Sequence, residues 1–333
     1  MHLKVNEVVD ISGWEFLAIP IGLGTREKIA VRKTQKAKVY YMVKSYDKDV
    51  GELRSEVCAS IIGKLFDFSV QKSFLCKIPD YKKHGFSQNL GVLIRLDITR
   101  QRDPRNESSQ YKEDLIHGAD LISRVAPDFL KIPIGEEGMR RKMYTLEVVI
   151  KALREYVRKN PQAAKTIWIE FFELTAFDAL IGGTDRHYRN WGILLNIEKN
   201  KRSYRKLAPA FDNGISLLWR DSVRLRNLNE KSVRAAPSAF RKPLGGQYTL
   251  FEVCEILGKI PEVRKNGAAK LVLDKCNSVS ENKLKDAILN KMPRDKSFES
   301  DEKVLAQIYE YVKMRFRILK EILNKIYAPA DIL

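Results

Sequence analysis

The stretch Thr184-Asp185-Arg186-His187-Tyr188-Arg189-Asn190 gathers residue types that a group-transfer reaction needs. Asp185 is followed five residues later by Asn190, and Phe211-Asp212-Asn213-Gly214 supplies a second aspartate farther on. A carboxylate can accept the proton of an attacking hydroxyl. An amide oxygen and a second carboxylate are the hard oxygen ligands that Mg²⁺ takes while it keeps phosphate oxygens in its shell. The chemistry that suits this set is transfer of the terminal phosphoryl group of ATP, with Asp185 as base and Asn190 and Asp212 on the metal. Each spacing alone is common, and an Asp-Asn-Gly run usually serves as a turn. His187 titrates near neutral pH and is a second possible base, but its expected role is to orient the loop through hydrogen bonds.

Two elements must hold these groups. Upstream, Ala163 to Ile181 reads as a long apolar helix with Ile167, Phe171, Leu174 and Ile181 on one stripe, stopped at Gly182-Gly183. Downstream, Ile193 to Ile197 and Tyr204 to Leu207 bracket Glu198-Lys199-Asn200-Lys201-Arg202, a hairpin signal. Its return strand leads to Asp212, so the hairpin is expected to bring Asn190 and Asp212 to the same end of the ribbon.

The first part of the chain reads as strands. Phe16 to Ile19 and Ile29 to Val31 flank a stretch that holds Gly22, Gly24, Thr25, Arg26 and Lys28. Backbone N–H groups in such a turn can face phosphate oxygens, although an ordinary hairpin turn uses the same residues. In the run Lys38 to Tyr46, alternation places Lys44 on one face with Tyr40 and Met42. A helix over Glu52 to Leu65 carries Leu53, Val57, Ile61 and Leu65 on its core stripe. Glu56 lies beside that stripe. It is either a solvated glutamate or the partner that fixes the Lys44 ammonium near phosphates. Val70 to Leu75 and Leu90 to Leu96 read as further strands, and Thr99 to Tyr111 then turns polar and charged. The expected division is a strand-rich lobe over 1–96 and a helical lobe over 97–333. The backbone of Ile94 to Leu96 becomes the hinge, where an adenine edge can be bound.

From about residue 110 helices are expected. Leu115, Ala119 and Ile122 fit one helical face, and Leu146 to Val157 is a helix stopped near Asn160-Pro161. Leu250 to Leu257, Leu284 to Leu289 and Val304 to Ile326 follow, the last with an amphipathic stripe from Leu305 to Ile326. Residues 213–249 read as a long, basic, structure-poor segment that includes Arg220, Arg224, Arg226, Lys231, Arg234, Arg241 and Lys242. Such a segment is either a substrate-facing loop or a disordered basic loop.

The 333 residues suffice for two lobes. No apolar run is long enough to span a membrane, and Met1 to Glu7 lacks the layout of a signal peptide, so a cytoplasmic chain is expected. Cys58, Cys76, Cys254 and Cys276 lack metal-ligand spacing and read as reduced packing residues; His2, His84, His117 and His187 are too dispersed for a zinc cluster. The net charge of +18 fits an acidic protein substrate, an anionic surface or a lysine-rich surface bias. No nucleic-acid motif accompanies it, so nucleic acid is not an expected partner.

Taken together and in order, these blocks resemble the HipA-like serine/threonine kinases, a bacterial branch of the protein-kinase-like fold. The residues that carry the resemblance are Gly24-Thr25-Arg26-Glu27-Lys28, Lys44, Glu56, Gly183 through Asn190, and Pro209-Ala210-Phe211-Asp212. It implies an α+β, two-lobed fold, ATP and Mg²⁺ as cofactors, and phosphorylation of Ser or Thr on proteins, the chain itself among them. It places Asp185 as base and Asn190 and Asp212 on Mg²⁺. It places Gly22, Gly24, Thr25, Arg26, Lys28 and Lys44 at phosphates, with Glu56 on Lys44 and the backbone of Ile94 to Leu96 at adenine. Size and basicity resemble the short members of the family, which implies an acidic or host-cell protein substrate reached by release from the bacterium. Toxin-type members carry an extra N-terminal segment that contacts an antitoxin, and a phosphorylatable serine just before the glycine-containing loop. Here the chain begins almost directly at the lobe, and Ile19-Pro20-Ile21 stand at that serine's place with Thr25 the nearest hydroxyl, so an antitoxin partner is not expected. Two other readings stay open. One is a phosphoinositide-type lipid kinase, whose headgroups suit a basic surface. The other is a catalytically inert kinase-like frame that binds nucleic acid.

Overall fold

A computed structural model describes residues 3–4, 6–17, 27–35, 37, 39–45, 50–95, 111–133, 136–198, 204–219, 228–294 and 302–327. The first part contains β1 (Val9–Asp10), β2 (Glu15–Leu17), β3 (Lys28–Arg32), β4 (Tyr40–Lys44), α1 (Val50–Leu65), β5 (Ser73–Lys77) and β6 (Leu90–Arg95). The strands form one sheet in the order β1-β5-β6-β4-β3-β2, with only the β1–β5 pair parallel. Alternation sends Val31, Val43, Phe74, Cys76 and Leu93 into one apolar cluster. α1 packs against β5 and β6, with Leu53, Val57 and Ile61 buried as expected from their spacing. The strand expected over Val70 to Leu75 lies later, because its pairing with β6 sets the register at Leu75↔Val92. β1 is two residues long and has no pattern of its own to read; the exposed edge of β5 recruits it.

The next part contains β7 (Tyr111–His117), α2 (Gly118–Ser123), α3 (Asp128–Lys131), α4 (Glu137–Met143), α5 (Leu146–Lys159) and α6 (Ala164–Ile181). It continues with β8 (Gly192–Glu198), β9 (Tyr204–Leu207), α7 (Glu230–Arg234), β10 (Pro237–Arg241) and β11 (Gln247–Thr249). α8 (Leu250–Lys259), α9 (Pro261–Lys265) and α10 (Ala268–Asn277) complete it. The helical face expected for Leu115, Ala119 and Ile122 is corrected. Leu115 lies on β7, which pairs with β8 from Tyr111↔Glu198 to His117↔Gly192, and the helix begins only at Gly118. The free edge of the β8–β9 hairpin decides that contest, and it is far away in sequence.

The second half of the basic segment is also ordered, against expectation. Asn229 caps α7 through a hydrogen bond from Ser232 N–H at 2.9 Å, and a glycine pair with left-handed φ at Gly245 and Gly246 closes the β10–β11 hairpin. Two of its cations are engaged: Arg234 pairs with Glu230 and Glu321, and Lys242 with Glu252. α6 is buried on every side from Phe171 to Ile181, not only along the expected stripe.

The chain ends in α11 (Glu281–Leu289) and α12 (Glu302–Tyr327). Two compact units result. One comprises 1–97, 212–228 and 279–313, and the other 98–211, 229–278 and 314–333. Neither unit is continuous in sequence, unlike a division after residue 96. In the first, α11 packs on α1. In the second, Arg315 is fully buried and donates to the carbonyls of Ala179 and Val233, with Phe251 4.7 Å beneath its guanidinium. Among the described residues no helix is long and apolar enough to cross a membrane.

α6 also holds the end of β9. Glu170 accepts the N–H of Leu207 at 2.6 Å. Burial pushes the Glu170 carboxyl up to about 7, aided by Glu173 and opposed by the Leu207 N–H, Lys206 and Lys275. A folded value above the ordinary 4.5 means the folded chain binds this proton more tightly than the unfolded one. The resulting stabilisation is complete below pH 4.5 and is lost as pH rises through about 7. Urea denaturation should therefore show a steeper fall in stability across that window for the wild type than for Glu170→Gln, which keeps the acceptor; equal slopes would refute the assignment.

Candidate active site

In the first unit the site is built around Lys44. Antiparallel pairing of β3 and β4 sets Lys28 opposite Lys44. The Lys44 side chain is only 8% exposed, and its ammonium lies 3.6 Å from Glu56 Oε1, which α1 buries almost completely. The same ammonium contacts Asp212, a residue 168 positions away in sequence whose side chain is 44% exposed. Glu56 is thus a partner of Lys44 and not a solvated helix residue. Burial and the Lys44 charge push the Lys28 ammonium below its ordinary range, and Asp212 opposes them. Asp212 adopts a left-handed φ of 56°, which aspartate tolerates better than most residues. The chain beyond it is stapled down: Ser216 Oγ donates to Asn213 O at 2.7 Å, and Ser55 Oγ, on α1 next to Glu56, donates to Ser216 O at 2.7 Å. Leu217 and Leu218 follow with φ of 51° and 62°.

In the second unit the site is the loop after α6. Gly182 stops the helix with φ 68°, and Gly183 N–H returns to Asp178 O at 2.9 Å. A Cβ on Gly183 would stand 2.8 Å from Asp178 Oδ1, so only glycine fits there. Asp185 remains 31% exposed. Its carbonyl accepts the N–H of His187 at 2.8 Å and the side-chain Nδ2 of Asn190 at 2.9 Å. With its NH₂ spent on that carbonyl, the buried Asn190 amide has Oδ1 left as acceptor, an oxygen ligand suited to Mg²⁺. His187 Nδ1 accepts the N–H of Arg189 at 3.1 Å, so the neutral ring carries its proton on Nε2, 3.9 Å from Asp185 Oδ2. His187 therefore supports the loop backbone.

The hairpin returns to this loop. β9 pairs with β8 at Leu207↔Ile193, and Ala208 N–H donates to Gly192 O at 2.8 Å. Arg186 completes the closure. Its guanidinium donates to Asp178 at 2.8 and 3.0 Å, to Asn190 O at 2.8 Å and to Phe211 O at 2.5 Å. Burial raises the Asp178 carboxyl and the Arg186 charge opposes that rise. Tyr144 OH donates to Arg186 O at 2.9 Å and accepts Trp191 Nε1–H at 2.9 Å. Tyr188 is buried edge-on against Phe129, and its hydroxyl donates to Glu137 on α4.

Of the nucleotide residues expected from sequence, Gly22, Gly24, Thr25, Arg26 and Leu96 lie outside the described residues. Ile94 is buried in β6 opposite Met42 on one side and Ser73 on the other, and Arg95 N–H donates to Lys72 O at 3.0 Å. These backbone groups belong to the sheet ladder. Arg186, Asp178, Tyr144 and Ser55 have no role in the sequence reading. One signal for them was present: Asp178 interrupts the apolar run Phe177 to Ile181, and a charge there needs a partner. Among the described residues no three His, Cys, Asp or Glu side chains group as a metal cluster. Asn190 Oδ1 and the Asp212 carboxylate are each the kind of hard oxygen that Mg²⁺ takes beside phosphates and water.

The profile of the HipA-like C-terminal domain matches residues 22–243. No curated protein matches the sequence. Among solved structures, the Helicobacter pylori proinflammatory kinase CtkA is 19% identical and covers 95% of this chain and 98% of its own, with a TM-score of 0.65. The α+β, kinase-like architecture is shared with it. HipA of the Shewanella oneidensis MR-1 toxin–antitoxin system is 12% identical over 91% of this chain and 64% of its own, with a TM-score of 0.46.

Tyr144→Phe deletes one hydroxyl and orphans two buried groups, the Arg186 carbonyl and the Trp191 indole N–H. The expected loss of stability is about 1–3 kcal/mol in urea denaturation. A loss below about 0.5 kcal/mol would show that these bonds are not formed in solution.

Proposed function

The chain belongs to the HipA-like C-terminal domain family, and from that premise and its site geometry we propose that it is an ATP- and Mg²⁺-dependent serine/threonine protein kinase. The observation that carries this reading is the meeting of Lys44, Glu56 and Asp212 within one unit. A buried lysine held by a helix glutamate is the arrangement that fixes an ammonium for phosphate oxygens. In this reading Lys44 and Lys28 bind phosphates together with the Gly22 to Arg26 stretch, and Glu56 holds Lys44 in place. The adenine edge falls to backbone after Arg95. Asn190 Oδ1 and Asp212 hold Mg²⁺, which supplies charge neutralisation at the phosphate oxygens when bound. Asp185 accepts the proton of the Ser or Thr hydroxyl. That oxygen forms its bond to the γ-phosphorus while the bond from phosphorus to the bridging oxygen breaks and ADP leaves. The net positive charge favours an acidic protein segment as substrate.

The test is transfer of label from γ-labelled ATP to the chain itself and to acidic and basic model proteins. Asp185→Ala and Asp212→Ala should each lower transfer at least about 100-fold. Lys44→Ala should chiefly raise the KM for ATP. Full activity in either aspartate variant would sink the assignment, and transfer to phosphoinositide vesicles but to no protein would change the substrate class.

A further inference from the structure

We propose that Arg186 is a positioning residue for metal binding, holding the backbone of Asn190 and of Phe211, the residue before Asp212; this rests on the kinase reading above. Its side chain is buried, and one planar group meets three separate stretches of chain. Nε and Nη2 grip the Asp178 carboxylate on α6, while Nη1 donates both to Asn190 O and to Phe211 O. Asn190 is one proposed ligand, and Phe211 is the residue before the other, Asp212. The backbone of Asn190 and that of the residue before Asp212 are therefore referred to a single nitrogen. Asp178 is a firm anchor, because it sits within α6 and Gly183 closes over it with no room for a Cβ. The Arg186 main chain is fixed as well, since its carbonyl accepts the Tyr144 hydroxyl.

Stability alone does not explain this expense. Replacing a buried ion pair by apolar groups is often neutral or stabilising, whereas a fixed fork supplies direction. Lysine carries the same charge, but as a compact ammonium it cannot grip a carboxylate side-on and also reach two carbonyls. The position thus asks for a guanidinium and not merely a cation.

The experiment measures Mn²⁺ binding by electron paramagnetic resonance in the presence of a non-hydrolysable ATP analogue. It also measures binding of that analogue without metal, and near-ultraviolet circular dichroism reports the fold. Arg186→Met and Arg186→Lys should lower Mn²⁺ affinity about tenfold or more, as outer-sphere changes at metal sites do, with metal-free nucleotide binding unchanged. Asp178→Asn, which keeps the shape and weakens the anchor, should give a smaller loss in the same direction. Folded Arg186 variants that bind Mn²⁺ as the wild type does would overturn the role. Failure of all three variants to fold would overturn it too, by showing that the guanidinium serves the fold. A wild type that binds no Mn²⁺–nucleotide would instead overturn the kinase reading itself, and with it the role.

Discussion

The ion pair between Arg186 and Asp178 is the constraint on which the second unit's site depends. Moving a guanidinium and a carboxylate out of water costs several kcal/mol for each ion, roughly, and is recovered only when each donor finds an acceptor. Arg186 meets that condition with a carboxylate from α6 and with main-chain carbonyls from the loop and from the returning strand. None of those three can shift without leaving a buried N–H or C=O unsatisfied. The buried polar groups therefore do what apolar packing cannot, because packing is tolerant of rotation and hydrogen bonds are not. Around them Tyr144, Trp191, Phe171 and Tyr188 form an aromatic wall that keeps water away.

The first unit solves a similar problem with a lysine. Lys44 sits at the end of β4, where register with β3 is set by five consecutive pairs from Lys28↔Lys44 to Arg32↔Tyr40. Two carboxylates of unlike exposure share its charge. Glu56 is sealed inside and acts as a fixed counter-charge, while Asp212 is nearly half open to solvent. That asymmetry lets one partner remain with the lysine while the other is accessible to a cation. The bond from Ser55 to Ser216 gives the same helix a hold on both the lysine's partner and the stretch beyond Asp212.

Much of this architecture was legible because it is local. α6 is long and apolar, α12 is long and strongly periodic, and the two-glycine stop after α6 has one physical meaning. Asp185, Asn190 and Asp212 stood out by residue type and spacing. What escaped was decided at a distance. Leu115 fits a strand and a helix equally well until β8 is placed beside it. The stretch from Glu230 to Thr249 looks shapeless because its lysines and arginines mask a capped helix and a glycine-turned hairpin. Arg186 sits in a polar loop, where an arginine is ordinarily solvated. Only the aspartate stranded in α6 hints at its partner, and spacing cannot choose among the loop's cations. For Glu56 spacing alone favoured a solvated glutamate, and burial decided for the partner of Lys44.

The β8–β9 hairpin separates reach from accuracy. Its base is locked by Ile193↔Leu207 and by the Ala208–Gly192 bond, and the chain then runs only a few residues to Phe211 and the clamp. Glu198 and Tyr204 are the last described residues of its two strands on the other side. The base is thus a fixed pivot for the stretch that leads to Phe211. A fold arranged this way can vary its loops while the clamped stretch keeps its geometry.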